Sequence, residues 1–491
     1  MLPSLARLTL KNDSTEMKRE RSEISDSTCP LSEPLPKTLS AKLLKIETVD
    51  DVTEWSMRKM PQGLSFLSTI QFLREYTKHP SQWHAIDDLT DWTSSTWEQT
   101  RLIHASVLCM ELTQASRLLG DFKRILGTYV RRDWSCKKVF VLGDFHGSLH
   151  SMLDVLLDMR ASGALDSKGK LSPGHAVVCL GDLLDRSPYT LECLYLVLRL
   201  ARENPKDVVV LAGNHETEEE QWIQGNGSLH EIKGEHNNEC PDDSTSMLER
   251  VESVTRKLPF SLIAKTPLGI IQFNHGSFEK FDATPHAHSF VQSFQRFVNF
   301  EGGYDTIGTF GGRVGNVLQW GDVQISDVDK QRADEAEEGG RPIVSAQDTS
   351  TYLNKFGLRM MIRGHNDLAN LSLLYTEGTK PSQALNDENS VDVPEGSTYS
   401  YFGSEMRDPR SEEDILKKGN VFLRDATDFT MTNVYDLYTL HMAPDAESFS
   451  KSLVTETDEN PDLLSVTVAS CAFAKNMPPV NTMTAYLVIG E

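Results

Sequence analysis

The sequence lacks the features of a membrane-spanning chain. Its longest apolar runs, such as LECLYLVLRLA at 191–201, have about half of the ~20 residues that a helix needs to cross a bilayer. The first thirty residues mix Lys, Arg, Glu and Asp and contain no apolar stretch typical of a secretory signal. We therefore expect a chain with neither a membrane span nor a secretory signal.

Cysteine is also scarce. The 491 residues include 7 cysteines, an odd number, and no two of them stand in CxxC spacing. This pattern argues against a disulfide framework and against a zinc finger. It predicts reduced thiols in the cytoplasm or in another reducing compartment.

Positive charge is in deficit. The chain has 49 Lys and Arg against 71 Asp and Glu, which gives a formal net charge of -22. Repulsion excludes a general nucleic-acid-binding or anionic-membrane surface. An anionic substrate must therefore be held by positive charge supplied locally.

The composition divides the chain into five parts. Residues 1–55 are rich in Ser, Pro, Glu and Lys and are predicted to be a disordered leader. Residues 56–135 are predicted to be a helical N-terminal extension, with one apolar stripe from about 98 to 131. A core follows over 136–365, then a polar insertion over 366–461, and the closing strands of the core over 462–491.

The core has the pattern of an α/β fold. Three β-branched runs, KVFVL (138–142), HAVVCL (175–180) and DVVVLA (207–212), are separated by two helical segments. This β-α-β-α-β series predicts a parallel sheet with buried strands. GIIQFN (269–274) and LRMMIR (358–363) are further strand candidates.

Each of these five strands is followed by a short polar block. In chain order the blocks are GDFHG, GDLLDR, GNHE, NHGS and RGHN. Because ligands of open α/β sheets bind at the carboxyl ends of strands, the blocks should converge. They supply carboxylate, amide and imidazole donors that suit Mn, Fe or Zn, and the donors are numerous enough for two ions sharing one carboxylate: Asp144, His146, Asp182, Asn214, His275 and His365.

These five blocks, in this order and each after a strand, resemble the signature blocks of the metallophosphoesterase superfamily, specifically its phosphoprotein phosphatase branch. The resemblance covers about 136–365, which would be the catalytic core, and resumes at the closing strands. It includes the segment QWGD (319–322), which is similar to the family's Trp-x-Asp segment, and it implies that the 366–461 insertion lies near the active site. It implies a four-layer β-sandwich with flanking helices. It also implies hydrolysis of phosphorylated protein side chains, Ser/Thr preferred, by direct attack of a hydroxide bridging two divalent or trivalent metal ions.

The resemblance also assigns roles to the residues. Asp144, His146 and Asp182 would hold the first metal, while Asn214, His275 and His365 would hold the second together with Asp182, which bridges. In addition, His215 would protonate the leaving group and Asp185 would orient His215. Arg186 and Arg341 would bind the phosphate oxygens.

Three positions depart from the family pattern. Ser187 and Ser277 stand where glycine is usual, and Ala212 stands where eukaryotic members carry arginine. Two alternatives therefore stay open: a phosphotyrosine or small-molecule phosphatase, including one for dinucleoside polyphosphates, and a non-catalytic phosphoprotein-binding scaffold. A regulatory partner could bind the N-terminal helices or the 366–461 insertion.

Overall fold

The computed structural model describes the following residues, all within the compact unit Thr53–Glu491: 60–77, 102–119, 128–185, 189–217, 247–281, 284–310, 317–323, 342–365, 371–375, 399–402, 438–443, 449–453, 463–468, 470 and 484–489. No helix among them is long and apolar enough to span a membrane.

Strands of these ranges form two large sheets and a two-stranded ribbon. The strands, in chain order, are β1 (Thr128–Asp133), β2 (Lys138–Leu142), β3 (His175–Cys179), β4 (Val208–Val210), β5 (Ser261–Thr266), β6 (Gly269–Asn274), β7 (Thr306–Gly308), β8 (Asp322–Val323), β9 (Ile343–Val344), β10 (Met360–Arg363), β11 (Leu371–Tyr375), β12 (Tyr399–Phe402), β13 (Tyr438–Ala443), β14 (Phe449–Leu453), β15 (Leu463–Val468) and β16 (Thr484–Ile489).

The first sheet has the order β12-β11-β15-β10-β6-β5-β1-β7, and the second has the order β14-β13-β16-β2-β3-β4. Within the second sheet β2, β3 and β4 are parallel, as the β-α-β-α-β pattern predicted. Within the first sheet β6, β10 and β15 are parallel. The five strands that precede the polar blocks therefore include a parallel set in each sheet.

The helices, in chain order, are α1 (Phe66–Tyr76), α2 (Ala105–Leu118), α3 (Leu149–Ala161), α4 (Thr190–Glu203), α5 (Met247–Thr255), α6 (Pro285–Val298), α7 (Val317–Trp320) and α8 (Ala346–Phe356). A single 3₁₀ turn covers Asn214–Glu216.

The apolar residues of the strands alternate between two cores. In β2, Val139 and Val141 pack in a core built from strands of both sheets. Phe140 and Leu142 instead pack in a core that also contains the helices. This alternation follows from the two-residue period of a strand, and it confirms the predicted layering of helices outside two stacked sheets.

The N-terminal helices dock on α4 through partly buried polar contacts. The guanidinium of Arg199 donates to the hydroxyl of Thr69 at 2.9 Å and to the carbonyl of Leu64 at 2.8 Å. The guanidinium of Arg202 donates to the carboxylate of Glu111 at 2.8 Å. These contacts join the extension to the core.

Two sequence predictions need correction. The apolar stripe predicted one helix from about 98 to 131, but α2 ends at Leu118 and β1 begins at Thr128. The β-branched and aromatic residues at the start of β1 pair with β5 and β7. The predicted helix had been extended over these residues. In addition, Cys109 is disulfide-bonded, whereas Cys136 and Cys179 have the free thiols that the sequence led us to expect.

The predicted domain boundaries stay predictions. Described pieces of the 366–461 block belong to the sheets, because β11 and β12 extend the first sheet and β13 and β14 extend the second. The predicted leader, 1–55, lies outside the described residues.

Candidate dinuclear metal centre

The five polar blocks form turns directly after strands β2, β3, β4, β6 and β10. We number these turns one to five in that order. The first two are joined through their backbones: the N–H groups of Phe145 and His146 both donate to the carbonyl of Asp182, at 3.0 and 2.8 Å. This places Asp144 and His146 beside Asp182.

The third turn is held against the second by a buried carboxylate. Glu216 is 1% exposed and accepts four backbone N–H groups, those of Asp182, Leu183 and Gly213 at 2.8 Å and that of Leu184 at 3.2 Å. The sequence contained Glu216 in its GNHE block but gave it no role. It fixes the position of the two turns that carry Asp182 and Asn214.

The third turn can lie this close to the second turn only because Gly213 has no side chain. A Cβ at this position would overlap the Oδ1 atom of Asp182 and lie 2.5 Å from its backbone nitrogen. The residue type therefore sets the distance between the predicted bridging ligand and Asn214.

The fifth turn closes on the first. The backbone N–H of His365 donates to both carboxylate oxygens of Asp144, at 3.0 and 3.3 Å. The Nδ1 atom of His275, in the fourth turn, lies 3.7 Å from the Oδ1 of Asp144. Side chains from both sheets thus meet at one place.

Asp182 lies at the centre of this arrangement. Its Oδ2 is 3.0 Å from the Nε2 of His275 and 3.4 Å from the Nε2 of His146. Among the described residues, two groups bring one potential ligand atom from each member within 4.8 Å of the others: His146, Asp182 and His215, and Asp182, His275 and His365. Asp182 belongs to both, as a bridging carboxylate must.

The six predicted ligands are all buried, each at most 8% exposed. Their second contacts suit metal binding, because ligating histidines usually donate their other ring N–H to a backbone carbonyl. The Nδ1 atoms of His146 and His275 lie 3.0 and 3.1 Å from the carbonyls of Leu184 and Leu180. With Nδ1 donating, each Nε2 faces Asp182 as a potential ligand atom.

The electrostatics also fit a cation. The Nε2 of His275 lies 3.0 Å from both the Oδ1 of Asn214 and the Oδ2 of Asp182, so a proton or a metal ion must lie between these atoms. Burial opposes protonation, but Asp182 and Asp144 raise the pKa of His275 to about 9. Despite the opposing effect of burial, His275, His215 and His146 hold the pKa of Asp182 well below its usual range.

Several of these residues have a strained backbone. His146, Asp182, Asp185 and His365 have φ values of 44°, 49°, 70° and 71°. The left-handed region costs a non-glycine residue roughly 1–2 kcal/mol, and such strain occurs mainly at functional sites. Here it points the side chains into the space between the turns.

A buried acid–base pair lies beside the ligands. The Nδ1 of His215 is 2.7 Å from the Oδ2 of Asp185, and the two residues are 7% and 2% exposed. The ring of His215 stands edge-on to that of His146, with centroids 4.7 Å apart. The structure thus brings together the two residues to which the sequence assigned proton transfer and its orientation.

Two predicted residues, Arg186 and Arg341, lie outside the described residues. Among the described ones, sequence reasoning missed Gln319, whose amide donates to the carbonyl of Gly213 at 2.9 Å. No sequence signal marks this glutamine. Asp322, in contrast, lies in the QWGD segment that carries part of the resemblance, and its Oδ1 is 3.7 Å from the Nε2 of His365.

Comparison with known proteins identifies similar sequences. Residues 137–368 match the model of the calcineurin-like phosphoesterase family. The chain is similar to the serine/threonine-protein phosphatase 4 catalytic subunit of Kluyveromyces lactis, with 31% identity over 87 residues, which are 18% of this chain and 25% of that protein. A probable serine/threonine-protein phosphatase of Encephalitozoon cuniculi is 24% identical over 268 residues, 54% of this chain and 49% of that protein.

Among solved structures, a protein serine/threonine phosphatase of Saccharomyces cerevisiae is similar with a TM-score of 0.39 and 16% identity, covering 58% of this chain and 78% of that one. The chain spans between 25% and 49% of the length of the two curated relatives described above.

Proposed function

We propose that the chain, whose residues 137–368 match the calcineurin-like phosphoesterase family, is a metal-dependent phosphomonoesterase of the phosphoprotein phosphatase type that acts on phosphorylated protein side chains, Ser/Thr preferred. The observation that carries this proposal is that His146, His275 and His365 can each bring a ring nitrogen within 4.8 Å of a carboxylate oxygen of Asp182, with the Asp185–His215 pair beside them.

Two metal positions share Asp182. Asp144 and His146 would hold the first ion with it, and Asn214, His275 and His365 would hold the second. When bound, such a pair of ions supplies positive charge for the phosphate oxygens and lowers the pKa of a water molecule. The chain's part is to fix the ligands, which the backbone bonds between the turns and the carbonyls of Leu180 and Leu184 achieve.

His215 would protonate the leaving alkoxide of the phosphorylated side chain. Imidazole suits this task because its ordinary pKa lies near neutral pH. The carboxylate of Asp185 accepts from Nδ1 at 2.7 Å, which leaves Nε2 as the nitrogen that exchanges a proton with substrate. Arg186 and Arg341 are proposed to bind phosphate oxygens, since a planar guanidinium donates two parallel hydrogen bonds.

The preference for phosphoserine and phosphothreonine is supported by the names of the curated relatives. Ala212 supports the alternative of a phosphotyrosine or small-molecule substrate. It is fully buried and stands where the family pattern has an arginine, so the site lacks that cation.

One assay tests these proposals. Metal-free protein, prepared with EDTA, is given Mn²⁺, and turnover of phosphoserine, phosphothreonine and phosphotyrosine peptides, a dinucleoside tetraphosphate and p-nitrophenyl phosphate is measured. We expect Mn²⁺-dependent turnover with the phosphoserine or phosphothreonine peptide preferred, and at least a hundredfold loss in Asp182→Asn. Metal-independent turnover would contradict the metal-dependent mechanism, and no turnover in the wild type would favour a binding scaffold.

A further inference from the structure

A short segment whose residues were given no role from the sequence contacts three of the five turns. It comprises α7 and the two residues after it, 317–322, and we call it the brace. Each contact lies next to a different proposed metal ligand.

The brace holds the third turn through a side-chain amide. Gln319 is 3% exposed, and its Nε2 donates to the carbonyls of Gly213 and Ala212 at 2.9 and 3.4 Å. The carbonyl of Gly213 belongs to the peptide unit from which Asn214 follows. Fixing that peptide plane therefore fixes the direction in which the Asn214 side chain leaves the backbone.

The brace holds the fourth turn through its backbone. The N–H groups of Gly276 and Ser277 donate to the carbonyls of Leu318 and Val317 at 2.6 and 2.8 Å. A Cβ on Gly276 would lie 2.6 Å from the Val317 carbonyl oxygen, so the two backbones are in direct contact. The residue immediately before this contact is His275.

The brace holds the fifth turn through charge. The guanidinium of Arg363, which is fully buried, donates to the carbonyl of Gly321 at 2.8 Å and lies 3.4 Å from the carboxylate of Asp322. The same Oδ1 of Asp322 is 3.7 Å from the Nε2 of His365. One carboxylate thus orients both the strand end and the imidazole after it.

These three turns carry Asn214, His275 and His365, the proposed ligands of the second ion other than the shared Asp182. We propose that the brace is a positioning segment for the second metal ion, so that Gln319 and Asp322 set the affinity of that ion and have little effect on the first. The inference rests on the proposed function. Its physical basis is that groups which orient metal ligands typically change metal affinity by 10–100-fold when removed.

The test is calorimetric titration of metal-stripped protein with Mn²⁺. His146→Ala marks the binding event of the first ion and Asn214→Ala marks that of the second. Gln319→Met keeps the length of the side chain but removes its donors, and we expect it to weaken the second event by about 10–100-fold with the first changed less than about threefold. At saturating Mn²⁺ its kcat should return to near the wild-type value.

The matched control is Gln347→Met, the same change at an exposed glutamine of α8, which should alter neither event. Equal weakening of both events in Gln319→Met, or of neither, would overturn the proposed role of the brace. If Gln319→Met does not fold, Asp322→Asn, which keeps its size, must show the selective loss or the inference fails. A wild-type protein that binds no Mn²⁺ would instead refute the proposed function itself.

Discussion

Replacing Asp185 with asparagine tests how the site moves a proton. The substitution keeps the size of the side chain and one acceptor oxygen but removes the charge that faces the Nδ1 of His215 at 2.7 Å. The amide can also present its NH₂ group to Nδ1, which would keep Nδ1 unprotonated and disfavour the imidazolium form that acts as the acid. Both effects weaken His215 as an acid without removing a proposed metal ligand.

The size of the effect follows from the burial of the pair. A hydrogen bond to a charged group contributes about 1.5–3 kcal/mol, and because Asp185 and His215 are 2% and 7% exposed, solvent weakens it little. If this contribution is lost in the transition state, the rate falls by about 10–150-fold. The loss should appear only where the leaving group needs a proton.

The assay compares phenyl phosphate with p-nitrophenyl phosphate, whose nitrophenolate leaves without protonation. In Asp185→Asn we expect kcat/KM to fall by about 10–150-fold for phenyl phosphate and by much less for the nitrophenyl ester. His215→Asn should show the same leaving-group dependence, and the double variant should be no worse than His215→Asn alone. Equal losses on both esters would refute the assignment of His215 as the acid.

Three further predictions concern the ligands and their supports. Glu216→Gln replaces one oxygen by an NH₂ group and leaves two of its four N–H donors unpaired, so thermal unfolding should show a loss of roughly 2–6 kcal/mol; unchanged stability would contradict this. In the metal-free protein the pKa of His275 is raised to about 9, so its protonation stabilises the fold fully below the unfolded pKa of ~6.5, and this contribution is lost as pH rises through 9. Mn²⁺ affinity should rise over the same pH window with release of a proton, which calorimetry in two buffers measures. An affinity that does not depend on pH would be inconsistent with His275 as a ligand. Gly364→Ala places a Cβ over the Oδ1 of Asp144 and should abolish Mn²⁺ binding, whereas Gly357→Ala, with φ of 67° and no atom within 4 Å of the added Cβ, should cost roughly 1–2 kcal/mol and leave binding intact.

The sequence could predict the site because its parts are local. Each ligand follows a strand within a few residues, and the order of the blocks places them on parallel strands whose carboxyl ends face the same way. Asp182 was therefore expected to meet His146 and His275, as it does at 3.4 and 3.0 Å. The layering of the sheets was implied by the resemblance, and the packing of Val139 and Phe140 in two different cores agrees with it.

What the sequence could not predict depends on contacts between distant segments. Gln319 reaches Gly213 across 106 positions, and a glutamine between Leu318 and Trp320 has no pattern that distinguishes it from a surface residue. The strand β1 was overlooked for a related reason: its pairing partners, β5 and β7, lie more than a hundred residues away. Local periodicity carries no information about such pairs.

The negative charge of the site indicates that metal ions must bind before the phosphorylated substrate. Asp144, Asp182, Asp185 and Glu216 are all buried within it, and burial together with the charge of Asp182 raises the pKa of Glu216 to about 7. The negative charge of Asp182, which disfavours ionisation of Glu216, would repel a phosphate dianion in the same way. The net charge of -22 adds to that repulsion at long range. Phosphate recognition therefore requires that cations be bound first, so the residues that hold the ions also determine whether substrate can enter.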